Sequence, residues 1–185
     1  MKVDPQIFLD LCENAKKLIF LDIETTGLKG DYNSVLVASI KPYGSKPFSF
    51  SINRVGLDSI VLKDTKKVLE EACIWVTYYG KGFDIPMLNT RLLKWGLEPI
   101  DKRPHVDLYF TLKANIITGR RSQAHLLDWL KTPQRKMAVS ADDWATLPSN
   151  PQEYLPTMIR RCESDVMGLE ALYRKTKHLI RDIKQ

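Results

Sequence analysis

Carboxylates occupy positions where the hydrophobic pattern calls for apolar side chains. Asp22 and Glu24 close the run Leu18-Ile19-Phe20-Leu21-Asp22-Ile23-Glu24. A strand sends alternate side chains to one face, so both acids continue the face of Leu18 and Phe20. With 22 acidic residues among 185, roughly two or three carboxylate-x-carboxylate triplets arise from composition alone, so placement rather than spacing carries the signal. That placement is the carboxyl end of the most apolar strand, where open α/β sheets take their ligands. The alternative is that the strand simply ends there and both acids face water. Asp165 fills the vacant slot in the helical stripe Met158, Cys162, Leu169, Leu172. Burying a carboxylate there is costly unless a cation, a hydrogen-bonding shell or a metal compensates, and Arg161, one turn earlier, offers the simplest ion pair. Asp84 and Asp107 each precede a predicted helix, where a carboxylate caps free amides. Capping does not exclude cation binding, and Asp107 stays outside the core group of acids.

The elements that must carry these residues follow from periodicity and punctuation. Residues 4–15 read as a short amphipathic helix behind an Asp-Pro start, and 18–23 as a central strand covered on both faces. Residues 34–40 and 47–52 give two further strands around the turn Pro42-Tyr43-Gly44-Ser45, so the sheet begins with antiparallel neighbours. A helix over 61–72, a buried strand over 73–79, a helix over 86–95 stopped by Gly96, and a short fifth strand over 105–108 come next. Another helix is expected from Leu108. Beyond Gly119 one apolar helix is placed, over 124–130. From 153 onward, Leu155, Met158, Cys162, Leu169, Leu172 and Thr176 mark one face of a long closing helix.

At 185 residues, 44% of them hydrophobic and 27% charged, the chain reads as one globular domain spanning 1–185, with an N-terminal helix and a motif-bearing core over 17–175. The 28 basic residues exceed the acidic ones to give a net charge of +6, which suits a polyanionic partner. Three cysteines without Cys-x-x-Cys spacing, no signal-peptide pattern and no membrane-length apolar run make a reducing, cytoplasmic location the expectation.

Three segments in order, Phe20-Leu21-Asp22-Ile23-Glu24-Thr25-Thr26-Gly27, Tyr79-Gly80-Lys81-Gly82-Phe83-Asp84-Ile85-Pro86 and Arg161-Cys162-Glu163-Ser164-Asp165-Val166, resemble the exonuclease motifs of the DEDD superfamily. His105-Val106-Asp107-Leu108 and Leu126-Leu127-Asp128-Trp129-Leu130 fit the stand-alone ribonuclease H-like exonuclease domains of the YprB type. The resemblance covers 17–175. It implies a ribonuclease H-like α/β fold with a mixed five-stranded sheet and helices on both faces. It also implies a two-metal nuclease acting on the 3′ ends of single-stranded DNA or RNA, with Asp22, Glu24, Asp84 and Asp165 as ligands. Four carboxylates brought together repel and raise one another's pKa, whereas divalent cations make the cluster tolerable; hard oxygen donors suit two Mg²⁺ ions, with Mn²⁺ as a substitute.

One position departs from the resemblance. Such families carry a Tyr four residues, or a His five residues, before the last Asp, and Arg161 and Arg160 stand there instead. Tyr154 and His178 lie about 16 and 20 Å from Asp165 along the helix at its standard rise, too far to substitute. Arg161 shares the face of Asp165 and can clamp a phosphate or orient water, but it is no base near neutral pH. His105 could act only if its strand end faces the acids. These arginines prompt a second reading, a catalytically weak or inactive member that binds nucleic acid or a protein partner. By the same resemblance Thr25, Thr26, Gly27 and Leu28 form the pocket for the terminal nucleotide. Lys81, Arg120 and Arg121, with Lys136 among others, supply basic contacts, Gly119-Arg120-Arg121-Ser122 being read as a mobile loop. Trp75, Trp95, Trp129 and Trp144 are expected to pack in the core or between helices rather than to stack on bases.

Overall fold

A computed structural model describes residues 4–135, 137 and 151–183; Lys136 and Trp144 therefore lie outside the described residues. Asp4 accepts from the amides of Gln6 and Ile7 and starts α1 (Pro5–Asn14), with proline in the position that has no amide to satisfy. The order continues with β1 (Leu18–Thr25), β2 (Val35–Pro42), β3 (Phe48–Ser51), α2 (Ser59–Glu71), β4 (Ile74–Thr77), α3 (Asp84–Lys94) and β5 (His105–Asp107). The helices α4 (Leu108–Asn115), α5 (Gln123–Trp129) and α6 (Pro151–Thr176) follow, and a 3₁₀ turn closes the described chain.

The five strands lie in the order β3-β2-β1-β4-β5. β1 is antiparallel to β2 and β2 to β3, while β1 is parallel to β4 and β4 to β5. This is the mixed five-stranded sheet expected. Alternation along β1 divides its side chains between two cores. Ile19, Leu21 and Ile23 pack with Val61, Leu62 and Leu69 of α2 and Met87, Leu88 and Leu92 of α3. Leu18 and Phe20 pack with α1, α4, α5 and, on α6, Val166, Leu169, Leu172 and Tyr173. Each fully buried side chain of this size contributes about 1.5 to 3 kcal/mol.

Three expectations shift. The strand predicted over 73–79 ends at Thr77, because Tyr79 takes a left-handed backbone (φ 65°) that leaves the sheet. The closing helix lies across β1, β2 and β3 and buries more than one stripe, since Val166, Glu170 and Tyr173 are also covered. The buried Glu170 is satisfied by Lys41, the Gly44 amide and Arg174. Among the tryptophans, Trp75 is in the core as expected, but Trp129 is 53% exposed.

A buried ion pair fixes the approach to the end of β1. Arg91 on α3 meets Asp58, just before α2, through Nε–Oδ2 at 2.8 Å and Nη2–Oδ1 at 2.9 Å. The Val35 amide and the Trp95 indole also donate to Asp58, and Arg91 Nη1 reaches the Gly30 carbonyl at 3.2 Å. One pair thus ties α2, α3, the start of β2 and the β1–β2 loop together. Burial alone would raise the Asp58 carboxyl, but hydrogen bonds from Arg91, Trp95 and Val35 hold it below its ordinary value.

Candidate active site at the carboxyl ends of the central strands

Asp22 and Glu24 leave β1 on the side where α6 passes, and Asp165 meets them from that helix. One oxygen from each of the three lies within 4.8 Å of the other two, with Glu24 and Asp165 buried and Asp22 partly so. A register shift between Glu24 and Thr25 bends the strand at this point. Arg161 Nε approaches Glu24 Oε1 at 2.7 Å, so the arginine engages a β1 carboxylate across the helix–sheet interface. The Cys162 thiol donates to the Asp22 carbonyl at 3.2 Å and lies 3.4 Å from its carboxylate, which braces that residue. Burial, then the Asp22 charge, push this thiol well above its ordinary value and keep it a donor. α5 holds the back of α6: Gln123 donates to the Asp165 carbonyl at 2.8 Å. The two helices come close at Gly168, where an added Cβ would stand 2.9 Å from a terminal methyl of Leu127.

Asp84 is the first residue of α3 rather than its cap; Phe83 holds the cap position, with no side-chain hydrogen bond. The Asp84 carboxylate is buried and accepts the Ile23 amide at 3.2 Å, between Asp22 and Glu24 in the chain, though it stands outside the 4.8 Å group. Burial raises its carboxyl to about 7; its own amide and that of Ile23 oppose the rise, and Asp107 and Glu24 add to it.

Asp107 does cap α4, accepting the Tyr109 amide at 3.0 Å, and it does more. Its oxygens also accept the amides of Tyr79 and Lys81, both at 2.9 Å, fastening the turn that leads to Asp84.

The other expected residues are placed as follows. Thr25 Oγ1 donates to the Gly27 carbonyl at 2.7 Å. Thr26 is bonded to Asn33 and Ser34, so the loop after β1 is braced across its own width. Leu28 is 79% exposed at its tip. Lys81, Arg120 and Arg121 are exposed. The Gly119–Ser122 loop, read from sequence as mobile, is tied at several points: Thr118 donates to the Arg120 carbonyl, Tyr78 to the Arg121 carbonyl, and Ser122 accepts the His125 amide. His105 faces Thr77, with Nε2 and Oγ1 2.8 Å apart, and packs edge-on against Trp75. Burial, then Lys81, lower it to about 3, so it is neutral and does not join the acids. The bracing by Cys162 and Asp107 escaped sequence reasoning. The cysteine read as one more apolar stripe residue and Asp107 as a plain cap; only the double glycine Gly80-Lys81-Gly82 hinted at a turn in need of an anchor.

The donor set, three converging carboxylates with a fourth adjoining, fits a hard divalent cation, which would relieve the mutual repulsion. Residues 19–177 match the family model of the RNase H superfamily. The DNA polymerase III PolC-type of Ureaplasma parvum serovar 3 is 30% identical over 128 residues; the match covers 55% of this chain and only 9% of that relative. The family B DNA polymerase of Pyrobaculum calidifontis superposes with a TM-score of 0.70 at 18% identity, covering 86% of this chain and 24% of the polymerase. A structure described as the apo form of a nuclease superposes with a TM-score of 0.63 at 20% identity, covering 94% of this chain and 78% of that one. These two structural likenesses establish the fold.

Proposed function

Because the chain belongs to the RNase H superfamily, we propose that it is a metal-dependent 3′-to-5′ exonuclease hydrolysing phosphodiester bonds at the 3′ ends of single-stranded DNA or RNA. The observation that carries this reading is the convergence of Asp22, Glu24 and Asp165, from elements some 140 residues apart in the sequence, to within 4.8 Å. Asp22, Glu24, Asp84 and Asp165 hold two Mg²⁺ ions, with Mn²⁺ able to replace them; bound cations supply charge neutralisation for in-line phosphoryl displacement. The residues around them position the substrate. Thr25, Thr26, Gly27 and Leu28 border the terminal nucleotide, and Lys81, Arg120 and Arg121 contact the phosphates behind it. Arg161, paired with Glu24, acts as a positioning cation for phosphate or water, not a base. The 3′ polarity rests on the motif resemblance, and the whole activity belongs to one domain.

The test is an oligonucleotide labelled at its 5′ end and incubated with purified protein. It should shorten from the 3′ end with Mg²⁺ or Mn²⁺, and Asp22→Ala should reduce the rate by about 100-fold or more. Undiminished cleavage in Asp22→Ala or in chelator overturns the reading. The 2.7 Å contact of Arg161 with Glu24 favours a second reading, in which the arginine has replaced a cation and the protein binds without cutting. Salt-sensitive binding with no turnover under any divalent metal would select it.

A further inference from the structure

We propose that Tyr79, Tyr109 and Phe110 form a stacking platform for unpaired bases of the strand whose end lies at the carboxylates. The platform rests on the reading of the substrate as nucleic acid and adds how that strand is gripped. Tyr79 has a backbone φ of 65°, a region that costs a bulky L-residue about 1 to 2 kcal/mol. Separate features hold it there. Asp107 takes the amides on either side of Gly80, and Gly82 leaves room for the ring, since a Cβ at 82 would lie 2.6 Å from Tyr79 Cζ.

This effort does not bury the ring. Tyr79 remains 46% exposed and Phe110 42% exposed. Their centroids are 5.8 Å apart at an interplanar angle of only 32°, and Tyr109 packs edge-on against both at 5.0 and 5.2 Å. A strained backbone that keeps a large ring fixed and half open is what a binding surface needs and a core does not. The position agrees. Tyr79 opens the turn that delivers Asp84, its carbonyl accepting the Gly82 amide at 2.9 Å and the Phe83 amide at 3.0 Å. It follows β4, which runs parallel beside β1, so rings and acids emerge from the same edge of the sheet.

Charge completes the match. Lys81 flanks Tyr79 in the chain, and Tyr78, packed on Tyr109 at 5.9 Å, holds the Arg121 carbonyl. Aromatic faces between cations fit a polyanion whose bases are free to stack, which means a single strand; paired bases hide their faces in the duplex. Every base has such a face, so the platform carries little sequence preference.

Binding of a short fluorescent oligodeoxynucleotide to the full chain in Ca²⁺ tests this, comparing ordinary strands with strands carrying abasic sites. Phe110→Ala, on an exposed side chain, should weaken binding of the ordinary strand about 5-fold or more. It should leave the abasic strand's affinity unchanged, and the wild type should itself prefer the ordinary strand by a similar factor. Equal affinities of wild type and variant, a loss that persists on the abasic strand, or no oligonucleotide binding at all would overturn the proposal; the first of these would point to a protein partner for the rings. Base-dependent binding in Ca²⁺ with no cleavage of the same strand in Mg²⁺ or Mn²⁺ would leave the platform standing and the nuclease reading refuted, and cleavage in Mg²⁺ or Mn²⁺ with base-independent binding would do the reverse.

Discussion

Glu24 serves two cations in prospect, the guanidinium of Arg161 at 2.7 Å and any divalent metal drawn to the acids. Both cannot have the same oxygen on equal terms, so removing the arginine's charge should favour the metal. Arg161→Gln is expected to tighten Mn²⁺ binding about 5-fold by calorimetry, the worth of a modest ion pair; weaker binding would show that the arginine helps assemble the site. The acids themselves were legible in the sequence because each interrupts a periodic apolar pattern, Asp22 and Glu24 on a strand and Asp165 on a helix. The reach of Arg161 to Glu24 was not. Helical spacing offers Asp165, one turn away; the contact across to Glu24 depends on how closely α6 approaches β1, which no local pattern records.

Two buried groups test how the elements are pinned. Asp58→Ala leaves the Arg91 charge buried without its carboxylate and should cost about 3 to 5 kcal/mol in urea unfolding. Because the Asp58 carboxyl is held below its ordinary 3.8, its contribution is intact at neutral pH and lost as pH falls below that value. His105 behaves differently, since its folded value of about 3 lies under the ordinary 6.5. Between these values the unfolded chain takes up a proton that the folded chain refuses, so stability should decline as pH drops from 6.5. His105→Gln should flatten that part of the stability–pH curve; an unchanged slope would place the decline elsewhere. Strands and helices were readable from alternation and capping, and Gly96 ends α3 at φ 67° as its position suggested. The end of β4 was not readable, because Cys73 to Tyr79 is uniformly β-favouring and the Asp107 contacts that help turn the backbone out of the sheet come from a distant strand.

The whole molecule balances a crowded acidic end against a surplus of positive charge, +6 in all. Gathering like charges is a cost the fold bears in the absence of a cation. Asp165→Asn should therefore raise the metal-free Tm by about 2 to 4 °C for each kcal/mol of repulsion relieved. It should also abolish the further rise that Mn²⁺ gives the wild type. A variant that melts lower without metal, or still gains stability from Mn²⁺, would show that Asp165 is not part of the cation site. The fold class was within reach of the sequence because periodicity gave the elements and an antiparallel start to the sheet, and the motif resemblance implied the mixed five-stranded sheet. The distance between the acids was not, since it depends on how α6 packs on the sheet, through side chains such as Met158, Cys162 and Val166.

Five acids crowd this corner, Asp22, Glu24, Asp84, Asp107 and Asp165, yet they are not equally at liberty. Asp107 already acts as a latch, its oxygens engaged by the amides of Tyr79, Lys81 and Tyr109. An ion that recruited it would unhook the segment bringing Asp84 into place. The backbone thereby rations the anionic valence at the strand ends: one aspartate is withheld so that its neighbour stays available.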